Sequence, residues 1–416
     1  MNDRQLLDET LNHREPGRLS IDFGATAVSG IHVLCIERLR EYYGLEKRPV
    51  KVIEPYQMLG LIEDDLKDAL GVTVQGFTGL YSMFGFRFED WKGYRTLWGQ
   101  EVLVPGDFVT TPDTNGGELI YPKGDKDANP SGKMPRSGYF FDSIIRQPEI
   151  DEDRLNPEDN MEEFGLLGEE DLKSIKEQVL ELAHGDKGLI ASFGGTGLGD
   201  IALVPAPMLR NPRGIRDITE WYISTVTRPD YVHYIFQRQT EIAIENLKKL
   251  YAAVGDSVQA AFICGTDFGT QNSQFCSSEA FDDLYLPYYQ KINGWIHDNT
   301  SWKTFKHSCG AVEPLLDNII RAGFDIINPV QCSATGMDPE HLKRTYGKDL
   351  VFWGGGVDTQ KTLPFGTPDE VRDEVRSRCE IFSKDGGFVF NAIHNVQADT
   401  PVENVAAMIE VIKEFS

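Results

Sequence analysis

The carboxyl-terminal half of this chain alternates short apolar runs with amphipathic segments of roughly 10 to 20 residues. Such alternation constrains the fold strongly, because parallel strands need a crossover long enough to hold a helix. KGLIASFG (187–194), SVQAAFIC (257–264), SWKTFKHSCG (301–310), FDIINPV (324–330), LVFWGGG (350–356) and GGFVFNA (386–392) read as strands. Between them, 230–254, 281–298, 312–322, 368–384 and 401–415 carry apolar residues at helical spacing. Two helix starts are well marked. Thr367-Pro368-Asp369-Glu370 offers an N-cap, a proline at the first helical position and a glutamate three residues on, and Thr400-Pro401-Val402-Glu403 repeats the arrangement.

Two earlier runs, RLSIDFGA (18–25) and GVTVQGF (71–77), bring the strand count to eight. Eight strand–helix units in one chain of 416 residues predict an α/β protein of the (β/α)8 or TIM-barrel class. A doubly wound open sheet is the alternative that pattern alone leaves standing. The whole of 1–416 is expected to be one barrel domain, interrupted by an insertion at about 83–172. There the alternation breaks: GYRTLWGQEVLVPGDFVTTPDTNGGELIYPKGD is rich in Tyr, Trp, Val and turn residues and suggests hairpins near the barrel mouth. The following EIDEDRLNPEDNMEEFGLLGEEDL is strongly acidic and reads as a solvated loop leading into an exposed helix start.

Composition narrows the partners. Sixty-five acidic against 41 basic residues leave a formal charge of -24, which opposes attraction to nucleic acid or an anionic membrane. Six cysteines spread over so long a chain do not form the dense framework of a small secreted domain, so reduced thiols are expected. The first residues contain no apolar run resembling a signal peptide, and no stretch of 18 apolar residues occurs. A cytoplasmic location is the default expectation.

Alternation along a strand puts His307 and Cys309 of HSCG on one face, where imidazole and thiolate converge. That pair suits zinc, which takes nitrogen and sulfur ligands tetrahedrally and needs a third ligand from elsewhere. His394 ends the last expected strand. Counting these strands as the sixth and eighth of the barrel, all three residues open onto its carboxyl-terminal mouth, leaving one coordination position for substrate. A His-x-Cys pair by itself is a weak signal.

Asp267 in CGTDFGTQ and Asp358 in GGGVDTQ follow strands and are candidates for acid–base chemistry; Gln271, Asn328 and Gln331 are candidates for substrate binding. Residues so placed often serve only as turn or cap residues. Gly354, Gly355 and Gly356 invite comparison with an anion-binding turn, but no Gly-x-Gly-x-x-Gly or P-loop surrounds them, and close strand packing accounts for them equally well.

From Cys264 to Met408 the chain resembles the uroporphyrinogen decarboxylase superfamily, in particular its branch of decarboxylase-like proteins and corrinoid-linked methyltransferases. The resemblance rests on GTDFGTQ, HSCGAVEPLLDNIIRAGFDIINPVQ, LVFWGGGVDTQKTLPFGTPDEV and GGFVFNAIHNVQADTPVENVAAM, in that order. It implies a (β/α)8 barrel. True decarboxylases of the family carry an arginine-rich amino-terminal motif for the substrate's carboxylates, whereas NHREPGRLSIDFGA holds only Arg14 and Arg18. The methyltransferases bind zinc through His-x-Cys and a later cysteine, and move a methyl group to or from the cobalt of a corrinoid (cobalamin) protein. His307 and Cys309 match the first two ligands, and His394 falls where the family has cysteine. The resemblance therefore implies a zinc-dependent methyltransferase with a small-molecule methyl donor or acceptor and a corrinoid protein partner. A metal-independent decarboxylase or lyase, or a non-catalytic barrel, are the alternatives.

Overall fold

The structure, a computed structural model, describes residues 1–415. Eight parallel strands form one sheet: Ser20–Ile21, Val74–Phe77, Gly188–Ser192, Ala260–Cys264, Lys303–His307, Ile326–Asn328, Val351–Trp353 and Phe388–Phe390. The first strand pairs with the eighth, and the sheet runs in sequence order from the eighth back to the second. Its two ends meet at a parallel bridge between Asp22 and Val74, which closes the (β/α)8 barrel. The strand that ends at His307 is the fifth, not the sixth, because four strands precede it in the chain.

Side-chain parity organises the packing. Val74, Ile190, Ala260, Phe305, Ile326, Val351, Trp353 and Val389 point inward and fill the barrel, so it is a packed core and not a pore. Leu7 and Leu11 of the helix Asp3–Leu11 join this cluster and plug the barrel bottom. The intervening residues, such as Phe352 and Phe388, face the surrounding helices. Asp22 is fully buried inside: Trp353 Nε1 donates to its Oδ2 at 2.8 Å and the Ala25 N–H to its Oδ1 at 2.9 Å. Burial pushes this carboxyl up to about 6.

Most helices follow the expected pattern, with three informative differences. The segment expected as one helix over 281–298 is two, Ser278–Leu284 and Leu286–Asn299, since Pro287 has no N–H to continue the ladder. Over 312–322 a 3-10 turn, Glu313–Leu315, precedes the short helix Leu316–Arg321. Thr367 forms the full capping box with Glu370, but Thr400 caps nothing: the last helix starts at Val402 after an extended Pro401.

The inserted region builds two four-stranded sheets outside the barrel. One is entirely antiparallel, running from Thr110–Pro112 to Asp142–Ser143. The other reaches back beyond residue 83, because Val50–Glu54 lies parallel to Glu101–Val104 and antiparallel to Leu59–Gly60. The acidic stretch is more engaged than a solvated loop. Arg216, fully buried, donates to Glu163 Oε1 at 2.6 Å and to the Asp159 carbonyl at 2.8 Å, while Arg213 pairs with Asp159 and Glu162. No helix among the described residues is long and apolar enough to cross a membrane.

Two outcomes follow from this architecture. Arg216→Met strands the buried Glu163 carboxylate and is expected to cost about 3–5 kcal/mol, read as a fall in melting temperature, with Arg216→Met/Glu163→Leu recovering part of the loss. For Asp22, whose folded value lies above that of an unfolded aspartate, the native state binds the extra proton between about pH 4 and 6, so the contribution to stability falls as pH rises through that window. Asp22→Asn should therefore gain on the wild type in melting temperature between pH 4 and 7; an unchanged difference would contradict the assignment.

Candidate metal centre at the barrel mouth

The fifth strand, Lys303–His307, points Phe305 into the barrel core, so His307, two residues on, points the same way at the open end. Beyond it the chain is held at successive amides. Ser308 N–H donates to the Asn328 carbonyl at 2.7 Å, Cys309 N–H to Asp267 Oδ1 at 2.7 Å and Gly310 N–H to Gln331 Oε1 at 2.8 Å. Gly310 has φ +92°, and a Cβ there would lie 2.3 Å from the Gly269 carbonyl carbon, so only glycine permits this turn against the loop after the fourth strand.

Asn328 sets the orientation of the His307 ring. Its Nδ2 donates to the Trp353 carbonyl at 2.9 Å, which turns its Oδ1 toward His307 Nδ1 at 2.6 Å. Nδ1 must then carry the proton, and Nε2 presents a lone pair 3.4 Å from Cys309 Sγ. His394, just beyond the eighth strand, completes the group: the two imidazole rings lie 5.6 Å apart between centroids. Its neighbours are pinned, Ile393 N–H donating to the Val357 carbonyl and Asn395 Oδ1 accepting from Gly30 N–H.

Donor atoms of His307, Cys309 and His394 all lie within 4.8 Å of one another. Tetrahedral zinc with ordinary bond lengths separates such ligands by roughly 3.3 to 3.8 Å, so a small side-chain adjustment brings all three into place. Electrostatics agree with the donor set. Burial holds both histidines down to about 4, leaving neutral imidazoles with a free lone pair. Burial, followed by the neighbouring Asp267, pushes the Cys309 thiol well up, a cost that a cation would reverse. Two nitrogens and one sulfur with a free fourth direction fit an open zinc site.

His307 and His394 of the cluster line a cavity of about 400 Å³. Its floor is barrel strand ends and the loops after them, including Asp200, Asp267, His307 and His394; its roof includes Glu54, Tyr56, Tyr81 and Phe88 from the region between the first and third strands. Asp267 lines this cavity 3.8 Å from His307 Nε2, and burial raises its carboxyl.

The other residues singled out from sequence do different work. Asn328 is fully buried, with both amide ends engaged inside the protein; it orients the His307 ring and does not line the cavity. Gln331 braces the Cys309 loop and donates to Gln271 Oε1 at 2.9 Å; Gln271 in turn donates to the Ser333 carbonyl. Neither glutamine lines the cavity. Asp358 accepts from the Gln360 and Lys361 N–H groups as a turn residue and likewise lies outside the cavity wall. Gly354 and Gly356 donate to the Val389 and Asn391 carbonyls, and a Cβ on Gly356 would meet Phe390 at 2.4 Å; this glycine run serves close strand packing.

Sequence reasoning missed three groups. Asp200 ends a glycine-rich turn after the third strand, the same kind of position that drew attention to Asp267, and burial raises it to about 6. Glu54, raised by burial to about 7, sits on a strand outside the barrel, where local sequence offers no sign that it faces the mouth. Lys306 carried no signal either: by parity it points away from the mouth, yet it is fully buried, donating to the Thr266 and His307 carbonyls at 2.7 and 2.6 Å between the Phe268 and Tyr289 rings.

Known proteins place this architecture. A solved methyltransferase from Methanosarcina mazei aligns over 100% of this chain and 99% of its own, with a TM-score of 0.54 at 14% identity, a likeness of fold. Among curated relatives, uroporphyrinogen decarboxylase of Ruthia magnifica subsp. Calyptogena magnifica is 24% identical over 196 residues, covering 45% of this chain and 50% of the relative. That of Methylococcus capsulatus is 42% identical over 68 residues, covering 16% and 19%. The chain thus spans at most about half the length of these curated relatives. The family model for uroporphyrinogen decarboxylase (URO-D) matches residues 204–415, just over half the chain and including all three residues of the cluster, and the chain belongs to that family.

Proposed function

We propose that this protein is a zinc-dependent methyltransferase that moves a methyl group between a small substrate and a corrinoid protein, with His307, Cys309 and His394 as the zinc ligands. The observation that carries the reading is the convergence of three donor atoms within 4.8 Å beside a cavity at the barrel mouth. A methyltransferase of the same fold over its full length supports it, as does the motif resemblance around HSCG. The whole chain acts as one barrel unit whose inserted region roofs the reaction space.

Zinc bound here supplies Lewis acidity to a sulfur or oxygen of the substrate. The protein's own groups do the rest. Asn328 keeps the His307 lone pair directed at the centre, and Asp267 holds the Cys309 amide while presenting a carboxylate at the cavity wall. For a thiol acceptor, Asp267 is placed to take the proton that leaves sulfur as the nucleophile forms. Apolar residues such as Ile201, Leu203 and Phe262 line the same cavity.

The decarboxylase names of the curated relatives favour a second reading, decarboxylation or lysis without metal. Metal analysis together with spectroscopic assay of methyl exchange with cobalamin separates the two. About one zinc per chain is expected, with ligand distances of roughly 2.0 to 2.4 Å. Cys309→Ala should weaken zinc most, by deleting the thiolate, whereas His394→Cys should retain the metal and change substrate preference. Metal-free preparations active in decarboxylation, or no methyl exchange across thiols, amines and methyl ethers, would overturn the assignment.

Asn328→Ala tests the orientation argument. With no acceptor for its Nδ1–H, His307 should lose hold of zinc by about 10- to 100-fold, measured by chelator competition. Because Cys309 must surrender its thiol proton on loading, zinc affinity should tighten as pH rises, in the wild type and in the variant alike.

A further inference from the structure

The cavity beside the cluster is anionic and partly aromatic. Three carboxylates, Glu54, Asp200 and Asp267, line it, with the rings of Tyr56, Tyr81 and Phe88, and no lysine or arginine does so among the described residues. Nearby basic groups are committed elsewhere. Lys306 Nζ is tied behind the fifth strand to two carbonyls. Arg87, beside Tyr81, is held by Asp171 at 3.1 Å and Glu89 at 3.0 Å.

Loading the metal leaves this imbalance in place. Two neutral imidazoles and one thiolate around a divalent cation leave a single positive charge, and Asp267, 3.8 Å from His307 Nε2, offsets it. Asp200, raised by burial, also lies in the field of the buried Lys306, which draws its proton affinity down, so Glu54 is the carboxylate left in excess. Glu54 is buried, its two oxygens accepting only from the Tyr56 and Gln57 amides at 2.9 and 2.6 Å, with no cation in reach among the described residues. A carboxylate held out of water with no counter-charge is costly until a cation meets it. Its proton affinity, raised by burial, reports the same deficit.

We infer that the substrate of this site carries a cationic group, of the ammonium class, which lies against Glu54, Asp200 and the aromatic wall while its sulfur or oxygen faces His307, Cys309 and His394. Carboxylates supply the ion contact and ring faces the cation–π contact. Carboxylated, sulfonated or phosphorylated molecules are repelled by the same wall. That the occupant is a methyl-transfer substrate rests on the function proposed above; the preference for cations rests on the cavity alone.

Isothermal titration of the full chain, as isolated and zinc-loaded, with three two-carbon thiols tests this: cysteamine, 2-mercaptoethanol and 2-mercaptoethanesulfonate. Cysteamine should bind at least about tenfold more tightly than the sulfonate, with the neutral thiol between them. Tetramethylammonium and methanesulfonate, which lack a thiol, form a second pair in which only the cation should bind. Glu54→Gln should narrow the cysteamine preference to within about threefold; its melting temperature reports on folding, and the wild-type ranking needs no variant.

Sulfonate binding as tight as cysteamine, or no binding by any probe, overturns the inference. Selective binding of tetramethylammonium with no thiol bound by the zinc-loaded protein sustains the cation preference and counts against the thiol–zinc chemistry.

Discussion

Closure of the barrel hangs on Asp22. The first strand is only two residues long; it meets the second at a bridge at Asp22, beside hydrogen bonds between Ile21 and Thr73, and the Asp22 N–H donates to the Phe390 carbonyl of the eighth strand. Its carboxyl reaches across the interior to Trp353 of the seventh. Asp22 thereby ties three strands at the seam, the second and eighth through its backbone and the seventh through its carboxyl. The cost of burying it appears in its raised proton affinity, and the hydrogen bonds from Trp353 and Ala25 offset part of that cost.

Once the barrel is closed, the site is a consequence of parity and register. Phe305 inside obliges His307 to face the mouth, and pairing of His307 with Asn328 in the sixth strand delivers the amide that orients its ring. The loop that carries Cys309 has little freedom, since Asp267, Gln331 and the Asn328 carbonyl claim its successive amides. A donor cluster built this way is held by hydrogen bonds to backbone amides at strand ends, where the scaffold is stiffest.

Charge is distributed with a similar division. The excess of acidic residues is partly absorbed where arginines are buried, as at Arg216, and left uncompensated in the cavity, at Glu54. The first arrangement clamps the acidic loop to the barrel; the second gives the cavity its electrostatic character.

Much of this fold was legible in the sequence. Eight apolar runs, the Thr367 capping box and the His307–Cys309 spacing depend on local periodicity and on residue chemistry within a few positions, which a strand or helix expresses wherever it sits. His394 was picked out by its place at the end of the last expected strand and by the family pattern, since nothing in its immediate neighbours marks it as a ligand. Other roles could not be read that way. Asp358 and Asn328 occupy the same kind of strand-end position as Asp267, yet one closes a turn, one orients a ring and only Asp267 lines the cavity. Glu54 and Val50–Val102 belong to a sheet whose partners are far apart in the chain. Local sequence determined the elements, their order and the His307–Cys309 pair at the end of the fifth strand. Tertiary structure alone decided which polar groups meet, because that depends on barrel closure and on strand pairing between distant segments, where burial and hydrogen-bond partners are set.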